Sequence, residues 1–293
     1  MKNIPKRLPD YLKRPIIDTE KTKKVRHILK SKHLNTVCEG ARCPNKNECY
    51  QHNTATFLIM GNVCTRNCKY CNISTAKPEP LDTNEPKHIA EAIKELGLDY
   101  AVITSVTRDD IFDGGATHFA QCINETKKLS PNIKIEILTP DFRSKTSRTE
   151  FNENSLKTII NSKPDVFNHN IETVRAIFNN ARPLGNYDLS LSVLDYIKKN
   201  SNITTKSGFM IGLGETLEQI LETMQDLRKV DCDILTIGQY IRPSKQHLEV
   251  EKYYKLDEYD YLIAKAKEYG FKKYQIGPLV RSSYHAKLLC ETD

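Results

Sequence analysis

No stretch of the 293-residue sequence approaches the roughly 18 consecutive apolar residues that a membrane span needs, and no apolar h-region follows the start. A soluble, non-exported protein of the cytoplasm is therefore expected. Internal repeats and low-complexity tracts are absent as well, so neither a solenoid nor an array is in view. A disulfide scaffold accounts poorly for the nine cysteines, which are odd in number and lie in a chain too long for a small stapled domain. Clustered cysteines without an export signal point to metal ligation in a reducing compartment.

The net charge of +7 is unevenly spread. Residues 1–32 carry eleven Lys or Arg against Asp10, Asp18 and Glu20, a balance of +8, which leaves the remainder near −1 with 33 basic and 34 acidic residues. Such an arm can meet nucleic acid, a membrane surface or an acidic protein. It lacks the interleaved aromatics and glycine spacing of an RNA-binding segment. It is Lys-rich rather than Arg- and Ser-rich, and Pro5, Pro9 and Pro15 interrupt any helix, which argues against a transit peptide. Docking of an acidic protein is the expectation, with a merely solvating tail as the alternative. Nucleic acid and membrane are not expected partners.

What is present centres on Gly61-Asn-Val-Cys64-Thr-Arg-Asn-Cys68-Lys-Tyr70-Cys71, a C-x3-C-x2-C triad directly after the apolar run Ala55–Met60. Three thiolates in eight residues can hold one soft metal centre and leave one coordination position without a protein ligand. A structural zinc site closes its tetrahedron with four ligands, and iron–sulfur cubanes normally take four thiolates. A three-thiolate cubane leaves one iron free for a small molecule. A zinc knuckle or a structural thiol cluster is the alternative, since thiolates suit zinc as well as iron. A second triad precedes it, Cys38-Glu-Gly-Ala-Arg-Cys43-Pro-Asn-Lys-Asn-Glu-Cys49, spaced C-x4-C-x5-C, with Gly40, Pro44 and Asn45 marking loop. Two triads, each short by one ligand, argue for two clusters rather than one zinc ion.

Residues 20–32 have helical spacing in Val25, Ile28 and Leu29. From residue 55 the pattern alternates: strand-like runs at 55–60, 100–106, 134–139, 165–171, 205–211 and 233–240, helix-like segments at 85–97, 116–129, 153–162, 187–199, 216–230 and 257–269. Six βα units with short connections predict an α/β fold with a parallel sheet, as an incomplete barrel or a doubly wound sheet. Each strand ends in a polar cluster: Thr107–Asp110, Thr139–Arg143, Asn168–Glu172, Gly212–Glu215 and Gln239–Ser244, with the Cys64 triad in the same place after the first strand. In βα barrels these ends form the active face. On rim position, Tyr70, Thr107, Asn170, Glu172 and Arg242 are candidate contacts for a small-molecule cofactor. Asn168 and His169 fit that face or a supporting hydrogen-bond layer equally well.

Taken together, Val37-Cys38…Cys43-Pro-Asn…Glu48-Cys49, Thr54-Ala-Thr-Phe57, Cys64…Cys68-Lys-Tyr-Cys71, Phe167-Asn-His-Asn-Ile-Glu-Thr173 and Arg281-Ser-Ser-Tyr284 resemble the lipoyl synthase family of radical S-adenosylmethionine enzymes, in order, from about residue 36 to residue 286. The resemblance implies a partial, TIM-like (βα)6 barrel with N- and C-terminal extensions. It divides the chain into a basic arm with the first triad over 1–54, a barrel core over 55–270 and a tail over 271–293. It implies insertion of sulfur at two unactivated carbons, C6 and C8, of an octanoyl chain on a lysine of a lipoyl carrier domain. The implied carriers are 2-oxoacid dehydrogenase E2 subunits and the glycine cleavage H protein, and the implied electron donor is a ferredoxin or flavodoxin.

The resemblance also assigns ligands. Cys64, Cys68 and Cys71 would hold the 4Fe–4S cluster that cleaves S-adenosylmethionine to a 5′-deoxyadenosyl radical. Cys38, Cys43, Cys49 and Ser283, with Ser282 as second choice for the serine, would hold an auxiliary 4Fe–4S cluster that is the sulfur donor and is consumed. General acid–base chemistry cannot break an unactivated C–H bond, so a cofactor must supply the reactivity. Two departures stand out: Gly40 replaces a usual acidic residue, and Arg182-Pro-Leu-Gly-Asn-Tyr187 has its glycine displaced. Cys122, Cys232, Cys290 and the scattered histidines read as structural, and Asp109, Asp110 and Asp113 as turn and cap. Other sulfur-inserting radical enzymes, such as biotin synthase, a two-cluster electron carrier and a zinc-binding module are the competing readings.

Overall fold

A computed structural model describes residues 7–15 and 19–291; the rest of the basic arm, Pro5 and Asp18 included, and residues 292–293 lie outside the described residues. The strands are β1 Asn35–Thr36, β2 Thr56–Ile59, β3 Val63–Cys64, β4 Ser74–Thr75, β5 Tyr100–Ser105, β6 Lys134–Leu138, β7 Val166–Asn168, β8 Thr204–Ile211, β9 Ile234–Gln239 and β10 Lys273–Gly277. β3 and β4 form a small parallel ladder of their own. The other eight make one sheet in the order β1-β2-β5-β6-β7-β8-β9-β10, parallel throughout except where β1 runs antiparallel to β2.

That order is decisive. A doubly wound sheet reverses its strand order at a switch point, whereas here each crossover lands on the next neighbour, as in a barrel. β1 and β10 stand at opposite ends of the sheet without pairing, so the barrel is partial. The six expected helices appear at Glu85–Leu96, Ala116–Leu129, Glu153–Ser162, Tyr187–Asn200, Leu217–Lys229 and Leu256–Glu268, each within one residue of its sequence pattern. Pro86 in the first turn and Gly97 at φ +69° bound the first of them. Reciprocal capping between Thr216 and Gln219 starts the fifth. β5 and β9 are predominantly apolar and buried along nearly their whole length because lumen and helices cover both faces.

The stretch from Tyr274 reads in sequence as a last strand before the tail, and β10 is that strand, a seventh parallel one. Two features depart from the sequence patterns. A helix at Arg175–Ala181 follows β7, which stops at Asn168 rather than residue 171. The Cys38 triad is not plain loop: Cys38 lies in a helical turn, Val37–Gly40, and Cys49 in the helix Lys46–Gln51. Thr36 caps the first of these by accepting from the Glu39 amide, which offsets the breakers that suggested loop.

The described part of the basic arm packs its apolar residues and leaves most of its basic side chains exposed. Leu12 is buried, Tyr11 donates its hydroxyl to the Tyr254 carbonyl at 2.8 Å, and the helix Glu20–Ser31 buries Val25, Ile28 and Leu29 in the main core. Among the described residues no helix is long and apolar enough to cross a membrane.

Candidate metal centres and cofactor site

The Cys64 triad begins where β2 turns sharply through Met60 at φ +67° and Gly61 at φ +91°. Its loop is tied to the strand ends. The Thr65 amide and hydroxyl both donate to the Thr107 carbonyl, at 3.0 and 2.9 Å. Arg66, reading as mere spacer between cysteines, is buried and grips two carboxylates: Asp109 at 2.7 and 2.8 Å, Asp141 at 2.6 and 2.7 Å. Asp109 follows β5 and Asp141 follows β6, so the cysteine loop is clamped across two barrel units. Against the cost of burial, Arg66 holds the Asp141 carboxyl far below the usual carboxylate range. The Lys69 amide donates to the Ala181 carbonyl, and His247 Nε2 lies 3.0 Å from the Cys71 carbonyl.

All nine cysteines are free thiols. Within each triad the sulfurs are electrostatic neighbours. Burial and then Cys43 push the Cys38 thiol up to about 11, and burial with Cys38 and Cys43 raises Cys49 further still. In the other triad burial raises Cys68, and burial, Cys68 and Cys64 push Cys71 up to about 12. Thiols so placed resist ionisation until a cation joins them, which is what a metal centre supplies.

The two triads are linked. Asn72 Nδ2 donates to the Gly40 carbonyl at 2.8 Å, and a Cβ on Gly40 would lie 2.6 Å from Ile73 Cδ1, so the position that lacks an acidic side chain is filled by the second loop. The tail joins the first triad to the barrel rim. It crosses β9 where a Cβ on Gly238 would sit 2.1 Å from the Val280 carbonyl oxygen, an approach open only to glycine. Asn45 Nδ2 donates to the Leu279 carbonyl at 2.7 Å, and the Tyr284 hydroxyl donates to Glu48 at 2.7 Å. Ser282 donates to Asn170 Oδ1 at 2.8 Å, whereas Ser283 lines a cavity of about 410 Å³ with Glu48 and Cys49.

The expected contact residues separate. Asn170 and Glu172 share a small cavity of about 90 Å³ with Met210, Arg281 and Ser282. Glu172 sits at φ +73°, rejoins β8 by a bridge to Phe209, and has its carboxyl raised by burial against the pull of Arg182 and Asn170. Burial and then Glu172 raise the Tyr70 phenol, which neighbours Cys68 and Cys71. Thr107 contributes its carbonyl to the cysteine loop. Arg242 is not brought to this group: its guanidinium binds the His247 and Lys245 carbonyls and Glu249, all in its own loop. His169 supports, its Nδ1 lying 2.9 Å from the Thr139 carbonyl, and Asn168 Nδ2 donates to Glu136 inside the barrel.

Arg182 is the residue that sequence reasoning passed over. It is 6% exposed, it neighbours Tyr70, Asp141, Cys68 and Glu172, and its buried Nη1 has no partner. A buried guanidinium N–H without an acceptor awaits an anion. The only signal in the sequence was the altered Arg182–Tyr187 loop.

With this geometry in hand, residues 58–227 match the model of the Radical SAM superfamily. A protein named lipoyl synthase from Caldanaerobacter subterraneus subsp. tengcongensis is 48% identical over 281 residues, 96% of each chain. The chain belongs to the lipoyl synthase family. A second member, from Hahella chejuensis, is 47% identical over 96% of this chain and 83% of its own. The enzyme is thus of the radical S-adenosylmethionine class, which implies a 4Fe–4S cluster and S-adenosylmethionine.

Solved structures of far lower identity share the fold. Streptococcus suis SuiB bound to S-adenosylmethionine matches with TM-score 0.58 at 13% identity, over 78% of this chain; this chain spans about half of that protein, 52%. Methylornithine synthase matches with TM-score 0.57 at 14% identity, over 86% of this chain and 74% of its own.

Proposed function

We propose that the enzyme inserts two sulfur atoms, at C6 and C8, into an octanoyl chain carried on a lysine of a lipoyl domain. Cys64, Cys68 and Cys71 would hold the cluster that binds S-adenosylmethionine, and Cys38, Cys43 and Cys49 with Ser283 would hold the auxiliary one. When bound, these groups supply the hydrogen-abstracting radical and the sulfur. The observation that carries this reading is the pair of thiol triads held side by side by the Asn72–Gly40 bond, the first of them also tied to the tail through Glu48.

The chain's own residues do the positioning. Arg66 fixes the cysteine loop over the strand ends. Arg182 Nη1 offers a charged donor to the carboxylate of S-adenosylmethionine, and Asn170 and Glu172 offer polar groups to the rest of it. Lipoyl carriers fit as partners: E2 subunits of 2-oxoacid dehydrogenases and the glycine cleavage H protein in the cytoplasm, with a ferredoxin or flavodoxin as reductant.

The test is mass spectrometry of an octanoylated lipoyl domain after anaerobic incubation with enzyme, reductant and S-adenosylmethionine. Loss of two hydrogens and gain of two sulfurs is the expected result. Release of 5′-deoxyadenosine without a modified carrier would assign the enzyme another substrate.

A further inference from the structure

The paired serines of the tail face different sites. Ser282 Oγ donates to Asn170 Oδ1 at 2.8 Å across 112 residues of sequence, and it shares the small cavity with Glu172, Met210 and Arg281. Ser283, one residue on, lines the separate cavity that contains Glu48 and Cys49. Tyr284 anchors the segment on that second side through Glu48.

We propose that Ser282 is a positioning residue for the S-adenosylmethionine pocket, acting through Asn170. The inference rests on the ligand assignment proposed above. An amide has one acceptor end and one donor end. With the Ser282 hydroxyl donating to Oδ1, the Asn170 amide keeps its NH2 end for the Glu172 carboxylate, which shares the same small cavity. Released from Ser282, the amide is free to present its carbonyl to the carboxylate instead, a repulsive arrangement.

The surroundings leave Asn170 little other support. Its floor is Gly208, where an added Cβ would lie 3.3 Å from Asn170 Oδ1 and 2.1 Å from Thr236 Oγ1, so the site is packed to the backbone. Glu172 is itself held in a left-handed conformation that a non-glycine residue adopts only under constraint. The relay from Ser282 through Asn170 to Glu172 therefore runs from the tail that closes one metal site to the pocket beside the other. A chain break or shift in the four residues from Arg281 to Tyr284 would disturb both.

The experiment uses the anaerobically reconstituted holoprotein, with iron and sulfide counted and S-adenosylmethionine Kd measured by equilibrium dialysis. Ser282→Ala should keep the wild-type iron content and weaken S-adenosylmethionine binding roughly fivefold, the worth of one neutral hydrogen bond. Ser282→Thr, which keeps the hydroxyl, should restore binding. In an Asn170→Ala background, Ser282→Ala should add nothing, because the two act in series. Ser283→Ala should leave Kd unchanged and lose about half the iron.

An unchanged Kd in Ser282→Ala, or full additivity with Asn170→Ala, overturns the inference while leaving the ligand assignment standing. Iron lost from Ser282→Ala and retained in Ser283→Ala overturns both.

Discussion

Arg66 meets Asp141 through two parallel hydrogen bonds of 2.6 and 2.7 Å, with both side chains shut away from solvent. The pair joins the cysteine loop after β2 to the rim after β6. Fork-to-fork pairing fixes direction as well as distance, which a single ammonium cannot do. Asp141→Asn leaves a buried guanidinium short of one anion, and such a loss costs about 3–5 kcal/mol. Chemical denaturation of the metal-free protein should show that loss. Iron analysis of the reconstituted variant should show the Cys64 site emptied before the Cys38 site. Arg66→Lys should fail in the same way; a lysine variant with normal stability and iron would mean that the clamp is incidental.

Much of this architecture is legible in the sequence for a physical reason. Strands buried on both faces are mostly apolar, so β5 and β9 announce themselves, and the polar clusters that follow them mark the rim. Cysteine spacing is local and survives as pattern. Pairings between distant residues do not: Arg66 finds Asp141 75 residues away, and Ser282 finds Asn170 112 away, with no periodicity to foretell either. Arg242, picked out by its rim position, pairs with carbonyls of its own loop, a local arrangement that its position alone did not foretell. The helical turns around the Cys38 triad were hidden because Gly40 and Pro44 read as breakers while Thr36 supplies a cap.

Lys206 gives a second prediction. Its ammonium lies 3.0 Å from both Glu136 oxygens, neither side chain has solvent contact, and Tyr100 and Asn168 complete the carboxylate's partners at 2.7 and 2.8 Å. Four successive strands thus send one polar side chain each to the lumen. Lys206→Met strands a buried carboxylate and should cost about 3–5 kcal/mol, lowering Tm by roughly 10 °C. Lys206→Met combined with Glu136→Leu should recover most of that, since a packed apolar pair of similar volume avoids desolvating charge. Scanning calorimetry of both variants decides. Equal losses in single and double variants would show that the lumen needs the network's shape rather than its neutrality.

Arg182 gives a third. Its unpartnered Nη1, beside Cys68, Tyr70 and Glu172, is a charged donor placed for a cofactor carboxylate. A hydrogen bond to a charged group is worth about 1.5–3 kcal/mol, so Arg182→Met should weaken S-adenosylmethionine binding by at least about tenfold. Arg182→Lys should not rescue it, because the ammonium lacks the planar fork. Iron content should stay at the wild-type level, which separates lost binding from a lost cluster. Undiminished affinity in Arg182→Met would remove Arg182 from the pocket's working groups.

His169 sets a pH dependence whose sign follows from burial. Loss of solvent and then the neighbouring Arg182 push its pKa down to about 4 from 6.5, with Asp141 and the Thr139 carbonyl opposing only in part. The unfolded chain therefore binds a proton between pH 6.5 and 4 that the folded protein refuses. Stability from this residue is complete above pH 6.5 and is lost as the pH falls to about 4, below which both states are charged. A gap of about 2.5 pH units corresponds to about 3 kcal/mol. In His169→Gln, whose amide can still donate to the Thr139 carbonyl but cannot titrate, the unfolding free energy should fall less between pH 7 and pH 4 than in the wild type. Taking the difference between the two proteins removes the shared contribution of the carboxylates. Parallel pH–stability curves for wild type and variant would mean that the imidazole is charged when folded, and that Asp141 rather than burial governs it.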